Sequence, residues 1–323
     1  MAEFELRGKT VLVTGGTGSF GRKFVEIVLG ECSPKKVIVF SRDELKQFEM
    51  AQQFRDERMR FHLGDVRDRE RLARAFAGVE VVIHAAALKQ IPAAEYNPFE
   101  AVKTNVLGAE NVISAAIDAG VERVIALSTD KAASPINLYG ATKLCSDKLF
   151  IAGNAYSGGR GTRFGVVRYG NVVGSRGSVV PFFKERRKEG KIPITDPRMT
   201  RFWITLDQGV RFVIASLARM HGGELFVPKI PSMRLLDLAE AIAPGCVREI
   251  VGIRPGEKLH ELMIGEDDAR RGVDGGDHFT LLPEFPWWNG GSPGTPLAEG
   301  FSYRSDTNTQ WLTVEALRRM VGE

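Results

Sequence analysis

The feature that most restricts the fold is a glycine-rich segment that directly follows a short β-branched run near the start of the chain. The run Thr10–Thr14 continues into GGTGSFG, so Gly15, Gly18 and Gly21 stand three positions apart. A strand, a glycine turn and a helix in this order form a binding site for a dinucleotide pyrophosphate. We expect these glycines to allow, respectively, the tight turn, the approach of the pyrophosphate, and close packing of helix on strand. The other loop residues expected to contact the cofactor are Thr17, Ser19 and Phe20.

The first half of the chain alternates between apolar runs and amphipathic stretches. Further runs, interpreted as strands buried on both faces, lie at 36–40, 80–84, 123–128 and 163–168. Helical patterns lie near 20–30, 43–54, 67–77, 99–119 and 138–152. This alternation predicts an α/β fold with a doubly wound parallel sheet and right-handed crossovers, the Rossmann architecture.

The regularity fades after residue 169. Helical patterns recur near 206–221, 234–243 and 312–321, and the stretch 265–300 is rich in glycine, proline and aspartate. That composition favours extended structure and surface loops. We expect a dinucleotide-binding Rossmann domain over residues 1–170, to which some later segments return. Residues 171–323 are expected to form mainly a smaller, C-terminal substrate-binding domain.

The bulk composition argues against several other classes of protein. The net charge of +4 is spread over interspersed acidic and basic residues, which is too weak and mixed for nucleic-acid binding. There is no apolar signal core and no run of about 18 apolar residues, so no membrane association is expected. Three cysteines without paired spacing suit a reducing compartment, and we expect a cytoplasmic protein. The five histidines lack metal-ligand spacing, so no metal is expected, and His260 and Glu261 are interpreted as helix surface.

The end of the second predicted strand bears on the choice of nucleotide. Proteins that bind NAD usually place an acidic residue there to hold the ribose 2′-hydroxyl. Here the strand ends in Ser41 and Arg42, and a hydroxyl beside a guanidinium suits a 2′-phosphate, with Lys46 as a further cation. Asp43 is interpreted as the N-cap of the following helix. The sequence therefore predicts NADP as the cofactor.

Residues after the third and fourth strands are expected to contact the rest of the cofactor. Asp65 follows the third strand, where a side chain can hydrogen-bond the adenine edge, and Val66 lies beside it. Ala85 and Ala86 follow the fourth strand, where small residues let the backbone lie against the cofactor. Lys89 is expected to line the active site and to contact both cofactor and substrate.

The fifth predicted strand runs into a segment that carries chemistry. Tyr139 and Lys143 form a Y-x-x-x-K pair on one helical face. A phenol with a pKa near 10 is a poor base at neutral pH, but a lysine ammonium one turn away and a positive nicotinamide favour the phenolate. We expect this pair to deprotonate a sugar hydroxyl and to contact the cofactor.

Thr129, Asp130 and Lys131 occupy the carboxyl end of the same strand, where open α/β sheets hold their chemistry. Thr129 is expected to hydrogen-bond the reacting hydroxyl. An adjacent acid and base exceed what simple oxidation needs, and indicate a further proton transfer such as β-elimination next to a new ketone. The alternative is a strand-end turn with a solvent-facing Asp-Lys pair.

These motifs resemble the extended short-chain dehydrogenase/reductase superfamily, and within it the inverting UDP-N-acetylglucosamine 4,6-dehydratases of pseudaminic acid biosynthesis. The matching segments cover nearly the whole chain: TGGTGSFG, FSRDELKQFEM, GDVRDRERL, STDKA, NLYGATK, RYGNVVGSRGSVVPFF, TDPRMTRFWIT, VPKIPSMR, IRPGEKLHE and GFSYRSD. Retaining dehydratases typically carry an Asp-Glu pair where this sequence has Asp130 and Lys131. Gln90 departs from the pattern, because that position is often histidine in the family.

The resemblance implies a redox-neutral cycle on UDP-N-acetylglucosamine that yields a UDP-2-acetamido-2,6-dideoxy-4-hexulose. Tyr139 takes the C4 hydroxyl proton while hydride passes from C4 to NADP. Lys131 then removes the C5 proton, if burial keeps it partly neutral, and Asp130 protonates the departing C6 hydroxyl. Hydride returns to C6, and a proton reaches C5 on the opposite face, which inverts that centre.

Substrate contacts and a homo-oligomer are also expected. The candidate substrate residues, besides Lys89, are Asn171 for the sugar nucleotide, Val180 with Pro181 for the uracil, Arg201 and Arg254 for the diphosphate, and Glu257 in the same segment as Arg254. The family resemblance suggests a homo-oligomer built partly through the helices near 99–119 and 138–152.

Two other functions remain open from the sequence. A UDP-sugar 4-epimerase would use the glycine loop, Tyr139 and Lys143 without needing Asp130 and Lys131. A regulatory protein that senses NADP could have kept the fold and lost catalysis, although the intact Tyr139 and Lys143 argue against it.

Overall fold

The computed structural model describes residues 5–174, 178–286, 288 and 290–322. Its strands, in chain order, are β1 (Thr10–Thr14), β2 (Lys36–Ser41), β3 (Met59–Leu63), β4 (Val81–His84), β5 (Arg123–Thr129), β6 (Arg163–Tyr169), β7 (Asn171–Val172), β8 (Lys191–Ile194), β9 (Thr200–Ile204), β10 (Leu225–Pro228), β11 (Ser232–Arg234), β12 (Val247–Ile250), β13 (Leu262–Ile264), β14 (Gly272–Asp274), β15 (His278–Leu281), β16 (Thr295–Pro296) and β17 (Tyr303–Arg304).

Its α-helices are α1 (Ser19–Ile27), α2 (Glu44–Gln53), α3 (Arg69–Phe76), α4 (Ile91–Tyr96), α5 (Pro98–Val102), α6 (Gly108–Ala119), α7 (Leu138–Ser157), α8 (Val179–Arg186), α9 (Leu206–Arg219), α10 (Leu235–Ile242), α11 (Glu266–Ala269) and α12 (Val314–Val321). Short 3₁₀ turns cover Asp130–Ala132, Gly158–Arg160 and Arg187–Glu189.

A large sheet forms the centre of the molecule. Among the described residues it has ten strands in the order β16-β14-β15-β10-β6-β5-β4-β1-β2-β3. The strands from β10 to β3 run parallel, whereas β15, β14 and β16 add an antiparallel edge. Every residue of β1 and β4 is buried, as expected for strands of a covered parallel sheet. The predicted α/β fold with a parallel Rossmann sheet is confirmed.

The helices agree with the predicted positions but differ in detail. The pattern at 99–119 is not one regular helix, because α5 continues through a π-helical turn at Lys103–Leu107 before α6 begins. A second π-helical turn at Val28–Cys32 follows α1. Helix α7 runs to Ser157, five residues beyond the predicted end at 152.

Strands from beyond residue 170 return to the large sheet. Strand β10 pairs with β6, and all three strands of the antiparallel edge, β14, β15 and β16, come from the segment 265–300. The extended structure expected there is therefore present, but it is paired in the sheet and not only a set of surface loops. The domain boundary at 170 stays a prediction.

A second, smaller core lies in the later half of the chain. It gathers apolar side chains from α8, β8, β9, α10 and α12, including Phe183, Trp203 and Leu238. Three small sheets accompany it among the described residues, with orders β11-β9-β7, β12-β8 and β13-β17. In the part of the chain that the structure describes, no helix is both long and apolar enough to cross a membrane.

Candidate active site

A cleft of about 1210 Å³ lies between the carboxyl ends of the parallel strands and the second core. The predicted site residues that line it are Gly15, Thr17, Gly18, Ser19, Phe20, Gly21, Ser41, Arg42, Lys46, Asp65, Val66, Ala85, Ala86, Lys89, Thr129, Asp130, Lys131, Tyr139, Lys143, Asn171, Arg201, Arg254 and Glu257. The structure therefore brings together residues that are more than 200 positions apart in the sequence.

Val180 is the exception among the predicted site residues. Its side chain is buried in the second core beside Phe183, and it does not line the cleft. Its neighbours Val179 and Pro181 do line the cleft, because successive residues at the start of α8 point in different directions. The prediction that Val180 contacts substrate is therefore wrong, whereas Pro181 stays a candidate.

The glycine loop forms a cradle that side chains would fill. Gly15 has a φ of +65°, and a Cβ at that position would lie 2.9 Å from the backbone of Ala86. A Cβ on Gly21 would lie 2.2 Å from the carbonyl oxygen of Gly16, which leaves no space for any side chain. Gly18 is the N-cap of α1 and has no side chain to cap it. This geometry leaves the helix terminus open to a pyrophosphate.

The carboxyl end of β2 carries the groups that bear on nucleotide choice. Asp43 accepts a hydrogen bond from the backbone N–H of Lys46 at 3.0 Å, which confirms its interpretation as the N-cap of α2. The Lys46 ammonium forms an ion pair with the same carboxylate. The Arg42 guanidinium is 57% exposed and lies 3.6 Å from Asp65. Two cations and the buried hydroxyl of Ser41 thus surround the strand end.

The catalytic candidates at the end of β5 form a connected set. Thr129 donates a hydrogen bond from its hydroxyl to Asp130 Oδ1 over 2.9 Å. Lys131 Nζ donates to the same oxygen over 3.0 Å. The Asp130 side chain is 1% exposed and that of Lys131 is 21% exposed, so the pair is not solvent-facing. The alternative of an exposed strand-end turn is therefore excluded.

Helix α7 presents Tyr139 and Lys143 one turn apart. Asn137 caps the helix, because its side-chain oxygen accepts from the backbone N–H of Gly140 at 2.7 Å. Burial raises the pKa of Tyr139 to about 12, although the charge of Lys131 and a hydrogen bond with Thr129 oppose that rise. The chain's own groups therefore do not produce the expected phenolate at neutral pH. The predicted phenolate therefore depends on the second positive charge that the prediction named, which is the nicotinamide.

Lys143 lies one helical turn before a buried acidic residue, Asp147, on α7. Burial lowers the pKa of Lys143, and the carboxylate of Asp147, one turn further along, opposes this effect. Asp147 accepts from Ser128 at 2.6 Å and pairs with Arg168 at 3.3 Å. This buried network fixes α7 against β5 and β6, and the sequence analysis did not identify it.

Gly140 lies where α7 packs closely against the 3₁₀ turn Asp130–Ala132. A Cβ at this position would lie 2.1 Å from the carbonyl oxygen of Lys131. Replacing Gly140 with alanine must push α7 and the 3₁₀ turn apart. We expect a loss of about 1–3 kcal/mol of unfolding free energy and a fall in kcat on the order of 100-fold.

Thermal unfolding and steady-state kinetics check this expectation. Gly30→Ala serves as a control for the glycine-to-alanine change outside the cleft, because a Cβ there meets nothing within 4 Å and the backbone is not in the left-handed region. A Gly140→Ala protein with wild-type kcat would show that the contact does not position the turn.

Glu261 is a site residue that the sequence analysis placed wrongly. It lies directly before β13, not on a helix, and its side chain is 2% exposed. Its Oε1 atom accepts from Lys131 Nζ at 3.2 Å, across 130 positions of sequence. The apolar run LMI that follows Glu261 is typical of a buried strand. That pattern could have predicted that Glu261 lies at the start of a strand and not on the surface of a helix.

The charge on Lys131 also differs from expectation. Burial alone lowers the pKa of Lys131, but the carboxylates of Asp130 and Glu261 raise it above its usual value. The condition that burial keeps Lys131 partly neutral is therefore not met. Burial and the charge of Glu261 together raise the pKa of Asp130.

The family is identified by comparison with known proteins. Residues 11–283 match the family described as polysaccharide biosynthesis protein. The chain belongs to the polysaccharide biosynthesis protein family. The matched residues include the glycine loop, the 3₁₀ turn Asp130–Ala132 and the helix that carries Tyr139 and Lys143.

Two curated proteins that are similar to this chain carry different activities in their names. The UDP-N-acetylglucosamine 4,6-dehydratase (inverting) of Campylobacter jejuni subsp. jejuni serotype O:2 is 53% identical over 97% of this chain and 97% of its own. The UDP-glucose 4-epimerase of Rickettsia canadensis is 42% identical, and the match covers 84% of this chain and 82% of the epimerase.

Solved structures of other proteins have the same fold as this chain. Pen from Bacillus thuringiensis superposes with a TM-score of 0.91 at 37% identity and covers 98% of both chains. DesIV, a dTDP-glucose 4,6-dehydratase from Streptomyces venezuelae solved with NAD bound, superposes with a TM-score of 0.69 at 26% identity. That match covers 77% of this chain and 86% of DesIV.

Proposed function

We propose that this protein is a C5-inverting UDP-N-acetylglucosamine 4,6-dehydratase that uses NADP. The observation that carries the proposal is the buried Asp130–Lys131 pair beside Tyr139, in one cleft with the glycine loop. The inverting dehydratase of Campylobacter jejuni, which matches nearly the full length of the chain, supports the same activity. The product is expected to enter pseudaminic acid biosynthesis in the cytoplasm.

The residues of the cleft fit a dinucleotide cofactor. The glycines of the loop add no side chains to the cleft, and Ala85 and Ala86, which face the loop, add only methyl groups. Arg42 and Lys46, with the hydroxyl of Ser41, suit a ribose 2′-phosphate and support NADP over NAD. NADP would accept hydride from C4 and return it to C6, so that none is consumed.

The chain's own residues supply the proton transfers. Tyr139 Oη takes the proton of the C4 hydroxyl, and the resulting C4 ketone acidifies the proton on C5. Asp130 and Lys131 lie 3.0 Å apart, and together they pass a proton from C5 to the departing C6 oxygen, which leaves as water. A proton then reaches C5 from the opposite face and inverts that centre.

Several cleft residues fit the sugar nucleotide. Asn171 Oδ1 is buried and, in the described part of the chain, has no hydrogen-bond partner, so it can bind a polar ligand group. Arg254 is 59% exposed and is a candidate for the diphosphate. Both Nη atoms of Arg201 already donate to the backbone carbonyls of residues 200, 258 and 259, so its contact with the diphosphate stays a prediction.

One incubation tests the function. The purified protein, UDP-N-acetylglucosamine and NADP are expected to yield a product that has lost one water, with a C6 methyl group and inverted C5 by NMR. A product that keeps the substrate mass but is inverted at C4 would instead identify the epimerase, the activity named for the Rickettsia canadensis relative. A protein that converts no UDP-sugar would point to the regulatory alternative.

Arg42 offers a test of cofactor choice. Replacing Arg42 with alanine removes a guanidinium that suits the 2′-phosphate, so the Kd for NADP should rise about 10- to 100-fold while that for NAD stays constant. Titration of cofactor by fluorescence or calorimetry measures both constants. Arg69→Ala, at an exposed position at the start of α3 outside the cleft, is the matched control. Equal weakening of NAD and NADP would contradict the assignment.

The homo-oligomer also stays a prediction. The exposed apolar side chains of Phe99, Val102 and Leu107 lie within the first of the two helical regions expected to form it, near 99–119, and they support that expectation.

A further inference from the structure

We propose that Glu261 is a positioning residue for the elimination step. It holds Lys131 as a charged ammonium between two carboxylates, so that Lys131 donates the proton to the C6 oxygen and Asp130 removes the proton from C5. This inference rests on the proposed dehydratase function and deepens it. It reverses the roles that the sequence resemblance implies for Asp130 and Lys131.

The first support is the geometry of the three side chains. Lys131 Nζ lies 3.0 Å from Asp130 Oδ1 and 3.2 Å from Glu261 Oε1. The two carboxylates are 1% and 2% exposed, so the ammonium is shared by two buried anions. Neutralising the lysine would leave both anions buried without that cation, which is strongly unfavourable in a low-dielectric site.

The second support is that Glu261 is itself rigidly held. Its backbone N–H donates to Ser305 Oγ at 2.8 Å, and its carbonyl oxygen accepts from the backbone N–H of Ser305 at 2.9 Å. Its carboxylate also lies 3.6 Å from Nε of Arg201. Arg201 in turn donates to the backbone carbonyls of residues 200, 258 and 259. A side chain fixed in this way can fix the direction of Lys131.

The charges around Lys131 agree with this geometry. The titratable groups that face it are Asp130, Tyr139, Arg201, Lys258 and Glu261. The two carboxylates outweigh the burial and the cations, and the pKa of Lys131 lies above its usual value. Glu261 also contributes to the raised pKa of Asp130, which makes Asp130 a stronger base.

The bonds and protons of the elimination balance with Asp130 and Lys131 as the only acid and base. The C5–H bond breaks, Asp130 takes the proton, and the electron pair forms the C5–C6 double bond. The C6–O bond breaks as Lys131 gives its proton to the oxygen, and water leaves. Asp130 then returns its proton to the neutral Lys131 across the 3.0 Å contact, which restores both groups. No oxidant or further reactant is needed.

The test separates the C4 oxidation from the elimination in single-turnover experiments on the full-length holoenzyme. Glu261→Gln keeps the shape of the side chain and removes its charge. We expect formation of reduced nicotinamide to keep its wild-type rate, while release of water falls on the order of 100-fold. Steady-state kcat should fall with KM unchanged. Glu249→Gln, on the exposed strand β12, is the matched control.

The pH profile gives a readout that a merely structural role would not move. Lys131 acts as an acid in this scheme, so activity is lost as pH rises through its pKa. Removing the charge of Glu261 lowers that pKa, so the alkaline limb of kcat should shift to lower pH in Glu261→Gln. Glu261→Asp keeps the charge but shortens the reach, so elimination should slow while the alkaline limb stays in place.

The outcomes distinguish this proposal from the proposed function. A wild-type enzyme that releases no dehydrated sugar overturns the function itself. A wild-type enzyme that dehydrates, with a Glu261→Gln variant that keeps either its elimination rate or its alkaline limb, overturns the role of Glu261. An equal loss of oxidation and elimination in the variant also overturns it. If Glu261→Gln does not fold, Glu261→Asp decides, because unchanged elimination in that variant contradicts positioning.

Discussion

Replacing Tyr139 with phenylalanine is expected to lower kcat on the order of 1,000-fold while leaving the KM for UDP-N-acetylglucosamine nearly unchanged. In the proposed mechanism, the substitution removes the oxygen that takes the C4 hydroxyl proton and little else. Nothing after that step can proceed, because the C5 proton becomes acidic only when C4 is a ketone. Both the oxidation and the elimination should therefore stop together.

The surroundings of Tyr139 explain why the effect should be large. Its hydroxyl is connected through Thr129 to the Asp130–Lys131 pair. Water is a poor substitute because Tyr139 lies in a partly buried wall of the cleft.

Single-turnover absorbance of the nicotinamide measures the expected loss directly. Tyr96→Phe is the matched control, since that ring is 88% exposed and lies outside the cleft. The variant should melt at the wild-type temperature, because the phenylalanine ring fills the same space. Normal formation of reduced nicotinamide in Tyr139→Phe would assign the C4 proton transfer to another residue.

The parts of the site that the sequence predicted well are local in the chain. The glycine loop lies within one strand, turn and helix, and the geometry of that unit is set by neighbouring residues. Tyr139 and Lys143 stand four residues apart on one helix, so helical periodicity alone brings them together. The carboxyl ends of parallel strands meet at one edge of the sheet, which explains why Asp65, Ala85 and Asp130 line a common cleft.

The parts that the sequence did not predict depend on contacts between distant segments. Glu261 reaches Lys131 only because β13 pairs with β17 and Ser305 fixes the junction. Val180 was misplaced by one helical position, since the start of α8 determines which side chain faces the cleft. The expectation that Lys131 is partly neutral was wrong for the same reason, because its second carboxylate partner is the distant residue Glu261.

Replacing Asp130 with asparagine should produce a different defect from that of Tyr139→Phe. In the proposed mechanism, oxidation at C4 needs only Tyr139 and the cofactor, so reduced nicotinamide should still form at close to the wild-type rate. Elimination loses one partner of the Asp130–Lys131 pair and should fall about 100- to 10,000-fold. The expected result is an enzyme that holds the sugar oxidised at C4 and releases little or no water.

The folded state should tolerate this change. Asparagine keeps the size of the side chain and an oxygen that can accept from Lys131, which also retains its contact with Glu261 at 3.2 Å. Burial raises the pKa of Asp130, so its ionised form is costly in the native protein, and asparagine removes that cost. The melting temperature of Asp130→Asn should therefore equal or exceed that of the wild type.

Rapid quenching with mass spectrometry measures the water loss, and absorbance follows the oxidation in the same reaction. Asp118→Asn is the control, because that carboxylate is exposed on α6 and pairs with Arg160 at 2.8 Å, away from the cleft. If Asp130→Asn loses oxidation and elimination in equal measure, then Asp130 acts before the ketone forms, and the division of labour between Tyr139 and the Asp130–Lys131 pair is wrong. If it loses elimination alone, the two chemical steps belong to separate residues that meet at Thr129, which hydrogen-bonds Asp130 at 2.9 Å.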